Sequence, residues 1–131
     1  MNTDSNGKLS RRKHKLAASF GFAFKGITFT VRNERNMQIH LGLSTGVLLA
    51  GFILGLTRVE WLFVIFAIGG MLALEIVNTA IEKAVDLASQ EYHPLAKQAK
   101  DIAAGAVLIF AFICVLVGLI IFVPKLADII N

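Results

Sequence analysis

The run Ile102-AAGAVLIFAFICVLVGLIIFV-Pro124 contains 23 residues and no formal charge. Wound as an α-helix at about 1.5 Å per residue, it is long enough to cross the roughly 30 Å hydrocarbon core of a bilayer. The 22 residues from Asn36 to Thr57 are likewise uncharged. A third apolar stretch, Trp61 to Val85, is free of charge as far as Leu74 and is then interrupted by Glu75, Glu82 and Lys83. The expectation is three membrane spans at about 36–57, 61–85 and 102–124, the middle one carrying ionisable groups in its second half.

Composition points the same way. Of 131 residues, 56% are hydrophobic and only 17% charged, with two prolines and a mean hydropathy of +0.69. A soluble chain of this length needs more polar side chains, because small domains leave a large share of their surface in water. Disorder is excluded by the same figures. The single cysteine, Cys114, excludes an internal disulfide.

Eleven of the thirteen lysines and arginines precede the first span or lie near or in the 86–101 loop, against Arg58 and Lys125 on the other side. By the positive-inside rule the N-terminus and that loop face the cytoplasm. No signal peptide is expected, since the basic N-terminus leads into an amphipathic stretch. Met1 to Ser10 reads as a flexible tail, and 11–131 as one membrane domain. Within it, a surface helix over 11–34 carries Leu16, Phe20, Phe24, Ile27 and Val31 on one stripe. Lys25 and Arg32 lie well away from that stripe, suiting an interface helix with cations at anionic headgroups. Phe22 and Phe29 depart from it. The pairs Gly42–Gly46 and Gly51–Gly55 read as close helix packing, and His40 as an interfacial residue.

The chemistry concentrates in Glu75-Ile-Val-Asn78-Thr-Ala-Ile-Glu82-Lys-Ala-Val-Asp86. At about 100° per residue, positions 75, 78, 82 and 86 share one helix face. A charge near the bilayer centre costs about 2.5–3.5 kcal/mol on insertion scales, so three carboxylates on one stripe require compensation. Interhelical salt bridges are one form of it. The other is a divalent cation carrying phosphates, because magnesium is usually held by one or two carboxylates together with phosphate oxygens and water. Glu75 lies about 10 Å deeper than Glu82, so one can meet a lipid headgroup while the other meets a nucleotide. No Walker A or kinase-type glycine-rich loop occurs in the chain.

These residues, with Glu91-Tyr92-His93, Ala99-Lys100-Asp101-x-Ala-Ala-x-Ala-Val, Lys25-Gly26 and Asn33-Glu34, closely resemble the small integral-membrane prokaryotic diacylglycerol kinase family. The resemblance runs from about Lys15 to Lys125. Arg32-Asn33-Glu34-Arg35-Asn36, His93-Pro94-Leu95-Ala96-Lys97 and Phe122-Val123-Pro124-Lys125-Leu126 resemble its Gram-positive branch, the undecaprenol kinases. The resemblance implies an all-α integral membrane fold of one surface helix and three transmembrane helices, assembled as a homotrimer in the bacterial cell membrane. It implies an ATP-dependent kinase of undecaprenol, with diacylglycerol as the alternative acceptor and no nucleic-acid partner. Glu75 would be the general base, with Asn78 and Asp86 orienting the site. Glu34 and Glu82 would hold Mg2+ on the ATP phosphates, and Glu91, Tyr92, His93, Lys100 and Asp101 would contact ATP. Lys15 and Phe22 stand where the diacylglycerol-specific relatives have arginine and tyrosine near the nucleotide, and Phe24 where they have tryptophan. From a different class, a small proton-coupled transporter also places a lone glutamate in a short apolar chain, but such transporters have four spans.

Overall fold

The computed structural model describes residues 5–89 and 91–130, with side chains given for residue 16, 18–89 and 91–129. The fold is all-helical: α1 (Ser5–Asn33), α2 (Arg35–Ile53), α3 (Arg58–Ala88) and α4 (Pro94–Ile130). It divides into two units, residues 1–34 and residues 35–131. The first is α1 followed by Glu34, whose N–H bonds Thr30 O at 2.9 Å. Helix α1 starts at Ser5, inside the stretch expected to be a tail. Both its expected apolar stripe, represented by Leu16, Phe20, Phe24 and Ile27, and the off-stripe Phe22 and Phe29 are exposed.

The second unit is a three-helix bundle with α3 packed on both α4 and α2. All three helices are long and apolar enough to cross a membrane. Most of their large apolar side chains face outward, including Leu49, Phe66, Phe112 and Ile120. In water this surface would be untenable, whereas in lipid only the backbone must be satisfied internally, which a helix does.

Helix boundaries differ from the sequence expectation at both connections. The first span stops at Ile53, four residues early, because Gly55 takes φ +64°, a left-handed conformation that ends the helix. Gly55 is therefore a turn residue, and the Gly51–Gly55 pair is not a packing motif. Gly51 instead faces Trp61: a Cβ there would sit 2.9 Å from Cη2 of that ring. Helix α3 then starts with a capping box. Glu60 N–H donates to Thr57 Oγ1 at 3.3 Å, and Thr57 N–H to Glu60 Oε2 at 2.6 Å. The Lys125 ammonium of α4 pairs with the same Glu60 carboxylate at 3.2 Å, closing this end of the bundle.

At the opposite end the expected 86–101 loop shrinks to 89–93. Helix α3 continues to Ala88, where the Ser89 N–H caps it on Val85 O. Pro94 opens α4, a first-turn position where its missing N–H costs nothing. Lys97, Lys100 and Asp101 are thus helical. The buried apolar cluster of Leu56, Val64 and Ile121 lies toward the Gly55 end, with Trp61 and Phe122 packed against it. That leaves the other end of the bundle to the polar stripe.

Candidate active site on helix α3

The stripe forms one face of α3, and burial along it falls steadily. Glu75 is 2% exposed and Asn78 6%, with Thr79 beside them at 5%. Glu82, one turn on, is half-buried and Asp86 is exposed. Over about 16 Å of helix the same face thus passes from a closed interior to an open end. Thr79 is absent from the expected site, although its spacing of four from Glu75 on a helix was the available signal.

Three side-chain contacts organise this end. The Asn78 amide donates from Nδ2 to Glu82 Oε1 at 3.0 Å. A carboxylate only accepts, so this bond also sets which way the amide points. Asn78 Oδ1 is then left buried, with no hydrogen-bond partner among the described residues. Lys100 of α4 reaches across to Asp86 of α3 in an ion pair. Lys97 Nζ holds Asp101 Oδ2 at 2.6 Å, one turn apart along α4. Interhelical salt bridging therefore accounts for the Asp86 rung, while Glu82 has an amide donor.

The remaining expected residues are placed as follows. His93 Nδ1 accepts the Leu95 N–H at 3.2 Å, so the imidazole caps the first turn of α4. Tyr92 is exposed, as is Glu91, whose carbonyl accepts from Ser89 Oγ at 2.8 Å. Phe22 and Glu34 belong to the N-terminal unit; there the Lys25 ammonium lies 5.9 Å from the Phe22 ring centroid. The side chain of Lys15 lies outside the described residues.

Among the described residues no three His, Cys, Asp or Glu side chains converge into a metal cage. Glu82 offers an oxygen ligand on the half-buried part of the stripe, its Oε1 held by the Asn78 amide Nδ2. A carboxylate so placed fits a hard cation that takes its remaining ligands from water and phosphate, as magnesium does.

Next to the stripe is an apolar cavity of about 330 Å³, bounded by all three bundle helices through residues such as His40, Ser44, Ala67, Met71, Cys114 and Gly118. Met71 precedes Glu75 by one turn on the same face of α3. Across the cavity wall Cys114 Sγ contacts Ala67 O at 3.6 Å. His40, near the start of α2, thus lines this cavity.

Residues 21–122 match the sequence pattern of the family described as "Prokaryotic diacylglycerol kinase". The chain is 52% identical over 113 residues to the undecaprenol kinase of Bacillus subtilis, covering 86% of this chain and 92% of that one. It is 38% identical over 112 residues to a diacylglycerol kinase of Synechocystis, covering 85% of this chain and 64% of that one. Against the diacylglycerol kinase of Escherichia coli K12 the identity is 30% over 105 residues, covering 78% and 84%. A match of this extent, running through the polar stripe and all three apolar helices, establishes that the chain belongs to the prokaryotic diacylglycerol kinase family.

Proposed function

We propose that this chain is an ATP-dependent lipid kinase of the bacterial cell membrane that phosphorylates undecaprenol at the cytoplasmic face. The observation that carries the reading is Glu75. It is a carboxylate buried in a membrane-spanning helix, on the same face as an amide–carboxylate pair at Asn78 and Glu82. The apolar cavity ending one turn from Glu75 suits the hydrocarbon of a lipid alcohol. The open end of the stripe, with Asp86, Lys100, Lys97 and Asp101, suits a nucleotide arriving from water.

In the proposed reaction the lipid hydroxyl attacks the γ-phosphorus of ATP in line. The new O–P bond forms as the bond to ADP breaks, and the hydroxyl proton passes to Glu75. An alcohol is far too weak an acid to lose that proton early, so Glu75 accepts it late, as charge moves onto phosphorus. Asn78 orients the Glu82 carboxylate. Glu82 would hold Mg2+ from the bundle, Glu34 would be the second carboxylate that the resemblance implies, and the ion when bound would supply charge neutralisation on the phosphates. Lys100 offsets charge on the transferring group, with Asp86 holding it in place. Asp101, Glu91, Tyr92, His93, Lys15 and Phe22 form the nucleotide-contacting set. A homotrimer, oriented with the N-terminus and the 89–93 turn in the cytoplasm, gives this short bundle cover for its polar face.

The choice of undecaprenol over diacylglycerol is supported by the 52% identity to a protein named undecaprenol kinase. Diacylglycerol is the second reading, favoured by the names of the other relatives. The test is phosphoryl transfer by purified protein in mixed micelles with Mg-ATP, offering the two lipids at equal mole fraction. Faster transfer to undecaprenol is expected. Preference for diacylglycerol would reverse the acceptor, and no transfer to either would overturn the kinase reading.

A further inference from the structure

Lys97 stands at the open end of the stripe with no contact to the nucleotide assigned to it above, yet its placement is specific. Positions 97, 100 and 101 lie within about 100° of one another around α4; Lys100 is at the edge that reaches Asp86 of α3, and Lys97 and Asp101 are on the exposed side beside it. The contacts form a ladder in order of depth. Asn78–Glu82 is innermost, Asp86–Lys100 follows, and Lys97 stands about 4.5 Å beyond Lys100 along α4. Asp101 lies beside Lys100 in sequence but is bound by Lys97.

The two lysines differ in how firmly they are held. Lys100 bridges two helices and is the more sheltered, with its side chain 38% exposed. Lys97 and Asp101 are 61% and 62% exposed, an i, i+4 pair on one helix. Exposed pairs of this kind contribute little. A bond from ammonium to a phosphate oxygen is stronger, being charge-assisted on an acceptor of higher charge. Exchanging Asp101 for a phosphate is therefore favourable for Lys97, whereas withdrawing Lys100 would break the link between α3 and α4.

We infer that Lys97 is a phosphate-binding residue for the nucleotide, held ready by Asp101 and transferred to the polyphosphate when ATP binds. This rests on reading the chain as an ATP-dependent lipid kinase. A triphosphate whose terminal group sits at Glu82 and whose chain runs out toward water passes Lys100 first and Lys97 second. Release of Lys97 at the same time frees the Asp101 carboxylate to accept from the nucleoside.

The experiment is steady-state kinetics of full-length Lys97→Met and Lys97→Arg in lipid micelles, with equilibrium binding of a non-hydrolysable Mg-ATP analogue in the absence of lipid acceptor. Lys97→Met is expected to raise KM for Mg-ATP and weaken analogue binding by roughly ten-fold, the equivalent of about 1.4 kcal/mol. Its kcat and lipid KM should stay within two-fold of wild type. Lys97→Arg, which keeps the charge, should recover most of the loss. Unchanged nucleotide KM and analogue binding in Lys97→Met would overturn the inference, as would a loss that arginine does not restore. An inactive wild-type protein is a separate result, bearing on the kinase reading, while analogue binding still tests Lys97.

Discussion

Asn78 and Glu82 stand one turn apart on α3, joined by a 3.0 Å bond from the amide Nδ2 to the carboxylate Oε1. The bond aligns the carboxylate, and it leaves the amide oxygen buried and unsatisfied among the described residues. A buried polar atom without a partner costs about 1–3 kcal/mol, an expense that a ligand at this point would remove.

Replacing Asn78 by Ala should lower kcat about 10–100-fold, the range found when a group orienting a metal ligand is lost. Asn78→Asp should be worse, because it sets a second negative charge against Glu82. Circular dichroism should show unchanged helix content in the alanine variant. Wild-type turnover in both variants would remove Asn78 from the site.

Glu75→Gln keeps shape and volume at a buried position while removing the proton acceptor. Phosphoryl transfer should fall by about 10²–10⁴-fold, the usual scale for a general base, with helix content and oligomeric state preserved. Activity near the wild-type level would assign the proton to another group.

Chelation of divalent metal should stop the reaction, and added Mg2+ should restore it. In Glu82→Gln the Mg2+ concentration for half-maximal rate should rise about 10–100-fold, since a ligand has lost its charge while Asn78 can still hydrogen-bond it. A Mg2+ titration curve that superimposes on wild type would place the ion elsewhere.

Gly70 of α3 lies directly against the Phe110 ring of α4, and a Cβ there would run into that ring. Gly70→Ala should destabilise the bundle by about 1–3 kcal/mol through overpacking, seen as a lower unfolding temperature in detergent. Phe110→Leu in the same chain should recover part of that loss. Additive effects of the two changes would show that the ring and the glycine are uncoupled.

The three spans and the shared face of Glu75, Asn78, Glu82 and Asp86 were readable directly from the chain. Both depend on local regularities, the length of uncharged runs and the 100° turn of a helix, which need no knowledge of neighbours. Even there the ends moved. Gly55 reads as half of a packing pair until its positive φ shows it to be the turn, and Lys97, Lys100 and Asp101 read as loop until Pro94 and His93 start a helix before them. Pairing was beyond a linear reading. That Lys100 serves Asp86, that Gly70 rather than Gly55 meets a ring, and that His40 faces an apolar cavity all follow from how α2 and α4 lie against α3. Packing brings residues as far apart in sequence as His40 and Cys114 to the walls of one cavity. Such placements are set by the summed packing of whole helices, so no spacing along one helix announces them.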